Sequence, residues 1–213
     1  MARKPPRRTK ERILEVSLAL FNALGEPNVT TNAIADEMNI SPGNLYYHYR
    51  SKDEIVTKIF LGFEREMDEL FAMQKDRRAD VEDAWFWLHL VFEKIWKYRF
   101  IYRDLNDLLA KNRVIEMHFK SILQNAQKSA EALMHDLQER GELSATQGEI
   151  QAVATNLVLT ATYWYSYSYV MNPRALDEAT AIGRGVFQVM SMISPYLTGN
   201  ARLLFEKLAR EYL

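Results

Sequence analysis

The sequence predicts an all-α protein, and three observations carry that expectation. Among 213 residues there are only eight glycines and six prolines, too little turn punctuation for a β-sandwich or a many-stranded α/β sheet. Apolar residues return every three to four positions, the period of a half-buried helix. Most of these periodic segments open on a Ser, Thr or Asp able to cap a helix, and several close on glycine or proline. With 48% hydrophobic residues the chain is long enough for a substantial core. About nine or ten helices are expected.

The first helix is expected from about Thr9 to Leu24, with Ile13, Val16, Leu20 and Leu24 on one face and Gly25 as its stop. Thr30 or Thr31 caps a short second helix whose inner face is Ile34, Ala35 and Met38, ending near Asn39. Ser41 and Pro42 have the chemistry of an N-cap and a first-turn proline, which makes Gly43 to Tyr49 a third short helix. Ser51-Lys52-Asp53-Glu54 is an S-x-x-E capping box for a longer fourth helix carrying Ile55, Ile59, Phe63, Met67 and Leu70. The polar run from Gln74 to Arg78 ends it.

Asp80 caps a fifth helix rich in aromatics, and Asp104 to Lys111 forms a short sixth. Ile115, Phe119, Ile122, Ala126, Leu133 and Leu137 keep helical spacing along a seventh that Gly141 closes. Thr146-Gln147-Gly148-Glu149 is a second capping box; it opens an eighth helix that Pro173 ends. A ninth runs from Leu176 to about Tyr196 and a tenth from Asn200 to Tyr212. Ile150 to Pro173 holds no charge and is long enough to cross a bilayer. The Gln, Thr, Asn and Ser residues spread through it point instead to a helix wedged between others.

Several function classes fall away on composition. The chain has no cysteine, which removes disulfide scaffolds, zinc fingers and thiol nucleophiles. His48, His89, His118 and His135 lie on different helices without ligand spacing, so no catalytic set, metal or cofactor is expected. The formal net charge of −1 hides an asymmetry. Residues 1–13 carry Arg3, Lys4, Arg7, Arg8, Lys10 and Arg12 against Glu11 alone, whereas residues 59–213 carry 18 basic and 21 acidic groups. Glu11 and Glu15 interrupt any secretory apolar stretch after the basic arm, so a cytoplasmic location and no membrane partner are expected.

Two short helices joined by a tight turn, with small Ala35 where they approach, meet the requirements of a helix-turn-helix. The second helix of such a pair enters the major groove and needs short or polar residues facing outward near its start. Pro42, Gly43, Asn44, Tyr46, Tyr47 and His48 fit that demand, while Leu45 and Tyr49 anchor the helix and Lys52 follows for a phosphate.

The stretch from Thr30 to Lys52, with its Ile34-Ala35 pair, the Leu45-Tyr46-Tyr47-His48-Tyr49 run and the following Ser51-Lys52, resembles the DNA-binding domain of the TetR family of bacterial transcriptional regulators. The resemblance covers about residues 9–56. Asn39 stands in the turn where many members have glycine, and asparagine tolerates the left-handed conformation needed there. By this resemblance Thr31, Asn32, Tyr46 or Tyr47, His48 and Lys52 touch phosphates, and Pro42, Gly43 and Asn44, with Tyr47, read bases. Ser41 opens that helix, and the arm carrying Arg3, Lys4, Arg7 and Arg8 reaches phosphate or the minor groove, with a solvated tail that aids solubility as the competing reading.

The resemblance implies two domains, residues 1–56 for DNA with a basic flexible arm at 1–8, and residues 57–213 for effector binding and dimerisation. It also implies a homodimer on an inverted-repeat DNA operator, acting as a repressor released by a small effector. The effector is expected to be mainly apolar, because the uncharged helix offers no Arg or Lys to an anion. Its candidate contacts are Trp85, Phe86, His89, Trp96, Met117, His118, Asn156, Tyr163, Trp164 and Tyr167. Candidate dimer contacts are Gly183, Gly185, Val186, Val189, Met190 and Ile193, with packing inside one subunit as the competing reading. Two other functions stay open: an activator, and a helical interaction or ligand-binding protein that uses the helix-turn-helix to hold a protein.

Overall fold

The computed structural model describes residues 6–74, 79–173 and 177–210. Among the described residues are eleven α-helices and no named strand: α1 (Pro6–Leu24), α2 (Thr31–Glu37), α3 (Pro42–His48), α4 (Lys52–Gln74), α5 (Val81–Lys97), α6 (Arg99–Arg103), α7 (Leu105–Lys111), α8 (Arg113–Glu139), α9 (Gln147–Met171), α10 (Glu178–Ile193) and α11 (Gly199–Ala209). No described helix is long and apolar enough to cross a membrane.

The expected caps form. Thr30 Oγ1 accepts from Ala33 N at 3.1 Å, Ser41 Oγ from Asn44 N at 3.2 Å, and Asp80 from Asp83 N at 2.8 Å. Thr146 and Glu149 make a reciprocal capping box. The box at Ser51 is shifted: its hydroxyl accepts from Glu54 N, but the Glu54 carboxylate takes the N–H of Arg50, at 2.8 Å.

Several assignments differ from expectation; the expected tenth helix ends at Ala209, its expected end at Tyr212 lying outside the described residues. Helix α1 opens at Pro6, because a first-turn proline needs no N–H partner. An additional short helix, α6, precedes the expected sixth; Phe100, Ile101 and Tyr102 bury all its apolar side chains. The expected ninth helix ends at Ile193 and passes into a 3-10 turn at Ser194–Tyr196 containing Pro195. Its expected start at Leu176 lies outside the described residues, and the helix opens at Glu178 with Asp177 as cap. On α1 the buried face is Ile13, Ser17 and Phe21, while Leu24 is exposed.

The chain forms two compact units, residues 1–64 with 98–118, and residues 65–97 with 119–213. In the first, Ile13, Phe21, Ile34, Leu45, Tyr49, Ile55, Phe60 and Phe63 share a core with Phe100, Ile101 and Tyr102. Phe100 lies 5.3 Å from Phe21, ring to ring, and donates its N–H to buried Asn22 Oδ1 at 3.0 Å. Arg103 donates to the Phe21 carbonyl at 2.6 Å, a second bond at an acceptor near the end of α1 that also takes the Gly25 N–H at 2.9 Å. In the second unit α10 packs along α5 and α9, and Trp85 of α5 meets Phe205 of α11 at 5.8 Å.

Candidate nucleic-acid interface

The helix pair is fixed from inside. Ile34, Ala35 and Leu45 are completely buried, and Tyr49 nearly so. The turn between them closes with Asn39 at φ 53, the left-handed conformation that asparagine tolerates, and with Ile40 N donating to Ala35 O at 3.0 Å. Tyr49 is held by the core, by a long bond to the Lys10 carbonyl at 3.4 Å and by the Lys10 ammonium 5.3 Å from its ring centroid. Burial first, then the carboxylates of Glu54 and Glu11, raises the pKa of its phenol, which stays a neutral donor.

With Leu45 and Tyr49 turned inward, α3 presents Pro42, Gly43, Asn44, Tyr46 and Tyr47 to solvent. Tyr47 is 83% exposed, which for a large aromatic has no packing rationale, and its ring meets that of half-buried His48 edge-on at 5.2 Å. The Thr31 and Tyr46 hydroxyls are 2.9 Å apart, Asn32 is exposed, and Ser41 is the cap described above. Arg3 and Lys4 lie outside the described residues; Arg7 and Arg8 fall in the first turn of α1, their side chains also outside them.

Lys52 behaves differently from the other candidates. Its ammonium is 2.8 Å from Glu26 Oε1 and 3.0 Å from the Glu26 carbonyl oxygen. Glu26, buried in the turn after α1, also donates its N–H to Asp104 Oδ2 at 2.9 Å. Nothing in the local sequence marks Glu26 as this partner, since it is 26 positions from Lys52.

The candidate effector residues are not all gathered in one cavity, although Trp96 and Trp164 share the lining of a small hollow of about 10 Å³ with Phe92 and Ile182. Trp85 is buried against α11, and half-buried Trp164 donates its Nε1–H to the Ala181 carbonyl at 3.3 Å. Trp96 meets Tyr165 edge-on at 6.0 Å. Met117 is exposed, and His118 Nδ1 lies 2.8 Å from the Glu64 carboxylate, both in the first unit. Asn156, Tyr163 and Tyr167 are on the exposed face of α9. Burial lowers the pKa of His89, with Glu93 opposing, so its ring is neutral near pH 7. Phe86 does line a hollow of about 60 Å³ with Met73, Asp83, Ala84, Trp87, Leu90 and Leu133. A larger cleft of about 490 Å³ lies between α4 and α8, lined by Asp68, Phe71, Asn125, Lys128 and Ser129. Sequence spacing gave no sign of it, because small Ala72 and Ala132 leave the gap.

Gly183, Gly185, Val186, Val189, Met190 and Ile193, expected at a dimer surface, are buried within their own chain. The physical reason is plain at Gly185: a Cβ there would fall within 2.7 Å of Phe92 Cδ1, so the glycine admits an aromatic ring of α5.

An N-terminal helix pair anchored in this way, with the other described elements helical, is a helix-turn-helix, the motif of DNA-binding regulators. Comparison with known proteins agrees. The family described as bacterial regulatory proteins, tetR family, matches residues 13–59, and the TetR bacterial transcriptional repressor family matches residues 62–205. A TetR-family transcriptional regulator from Marinobacter aquaeolei VT8 is 33% identical, with TM-score 0.86 over 96% of this chain and 98% of that one. The ketosteroid transcriptional regulator KstR2 of Mycobacterium tuberculosis has TM-score 0.69 at 20% identity, over 90% of this chain and 96% of its own, a likeness of fold. In sequence, the repressor KstR2 of M. tuberculosis H37Rv is 39% identical over 64 residues, 30% of each chain. That of Rhodococcus jostii is 36% identical over 81 residues, 38% of this chain and 37% of its own. The chain thus spans about a third of the length of these curated relatives. It belongs to the TetR family of bacterial transcriptional regulators.

Proposed function

We propose that this regulator is a homodimeric repressor. Two copies of α3 enter successive major grooves of an inverted-repeat operator, and a small, mainly apolar effector bound in the C-terminal domain releases them. The observation that carries this reading is the outward row of α3, where Gly43 and exposed Tyr47 stand on a helix pinned by Leu45 and Tyr49. Pro42, Gly43, Asn44 and Tyr47 read bases; Thr31, Asn32, Tyr46 and His48 grip phosphates; the basic arm adds contacts beside them. Residues 1–56 do this work and residues 57–213 bind the effector and the second subunit, in the cytoplasm.

Repression is supported by the repressor names of the curated relatives. Dimerisation is supported by α9, which turns Thr155, Leu159, Tyr163, Tyr167 and Val170 outward at helical spacing without one charge. The effector's apolar character is supported by the hollow beside Phe86, whose lining is apolar except for Asp83; the hollow falls short of the roughly 300 Å³ a drug-sized ligand needs, so this reading requires exposed Met73 and Phe86 to move aside.

Selection of bound duplexes from random DNA, followed by titration at several salt concentrations, tests the proposal. An enriched inverted repeat with a steep salt slope supports a dimer that reads sequence. A protein that uses the helix pair only to hold another protein enriches no duplex.

A further inference from the structure

We propose that Arg50, and not Lys52, supplies the cationic phosphate contact just after the recognition helix, because half-buried Lys52 is committed to an ion pair with a nearly dry carboxylate. This rests on the DNA-binding reading above. Lys52 lies 2.8 Å from a Glu26 carboxylate oxygen whose side chain is 7% exposed, and a second donor contact reaches the Glu26 carbonyl. The pair is neutral as a unit. Drawing the ammonium out to a phosphate strands a carboxylate in a nearly dry site, which opposes the exchange.

Arg50 is placed in the opposite sense. Tyr49 is extended, at φ −139 and ψ 124, and buries its side chain in the core; successive side chains on extended backbone point to opposite sides. Arg50 is accordingly exposed, and its guanidinium has no hydrogen-bond or ion partner among the described residues. Its backbone is nevertheless fixed, because its N–H donates to the Glu54 carboxylate at 2.8 Å while Ser51 Oγ holds Glu54 N at 3.2 Å. The result is a planar, permanently charged fork on an anchored backbone, directly after α3, a geometry suited to bidentate phosphate contact. The nearby acids Asp53 and Glu54 stand in the first turn of α4.

The test titrates the enriched duplex and a scrambled duplex against salt, using wild type, Arg50→Ala, Arg50→Lys and the double variant Glu26→Gln/Lys52→Met. The double variant removes both charges together, so no buried charge is stranded. Arg50→Ala should lower the slope of log affinity against log salt by about one, with parallel losses on both duplexes and an unchanged melting temperature. Arg50→Lys should restore the slope, and the double variant should keep it. An unchanged slope in Arg50→Ala overturns the proposal, and does so even if the double variant fails to fold. A slope lost in the folded double variant overturns it too. Absence of salt-dependent duplex binding in the wild type is a separate result, which overturns the DNA-binding reading itself.

Discussion

The hydroxyls of Thr31 and Tyr46 lie 2.9 Å apart and join the first residue of α2 to the exposed side of α3. A bond between water-accessible groups adds only about 0.5–1 kcal/mol to stability. Its larger consequence is positional: it holds the phenol of 46%-exposed Tyr46 in one orientation before DNA arrives. Thr31→Val and Tyr46→Phe should each weaken operator binding while leaving the melting temperature nearly unchanged. Their losses should overlap, with a coupling of at least about 0.5 kcal/mol in a double-mutant cycle. Additive losses would show two independent phosphate contacts.

Gly43 separates fold from recognition. A Cβ at this position meets nothing closer than Ser41 Oγ at 4.0 Å, and the residue is in ordinary helical conformation. Gly43→Ala should therefore leave stability unchanged or raise it by up to about 1 kcal/mol. If this turn faces the bases as proposed, operator affinity should fall by roughly tenfold or more, since a methyl there holds the helix away from the groove. Thermal melting and titration of one preparation check both halves; undiminished affinity would move the DNA contact elsewhere on α3.

The same residue type has the opposite meaning at Gly185. There the missing side chain makes room for Phe92, so Gly185→Ala should destabilise the protein by about 1–3 kcal/mol in urea unfolding. Adding Phe92→Leu should recover part of that loss. Equal stability of Gly185→Ala and wild type would mean that the ring shifts freely.

These two glycines mark the limit of what the sequence reveals. Local signals were legible: Thr30, Ser41, Asp80 and Thr146 cap helices, and Leu45 and Tyr49 point inward, because caps and helical period depend on neighbours a few positions away. An apolar face with small residues, such as Gly183 to Ile193, specifies close packing but not whether the partner is another helix of the same chain or a second subunit. The structure answers with Phe92, about ninety positions distant. Lys52 illustrates the same gap for charge, since its orientation depends on Glu26 and not on the Ser51-Lys52 motif that contains it. The aromatics of α5 and α9 were equally ambiguous, and their division into packed Trp85 and exposed Phe86 follows from which side of α5 faces α11.

With the α10 residues committed to the interior, the uncharged outward row of α9 becomes the surface on which to test dimerisation. Leu159, in its middle, is 56% exposed, so Leu159→Glu removes little packing from the single chain. Across a two-fold axis the new carboxylate is duplicated on the facing subunit, and both charges lose water on association. The cost should be on the order of 3 kcal/mol or more, roughly a hundredfold in the dimer dissociation constant. Sedimentation velocity should show a folded monomer, and operator affinity should fall steeply because one recognition helix then holds one half-site alone. Leu203→Glu on α11, at a residue 65% exposed, is the matched control and should stay dimeric. The reverse pattern, dimeric Leu159→Glu and monomeric Leu203→Glu, would place the interface on α11.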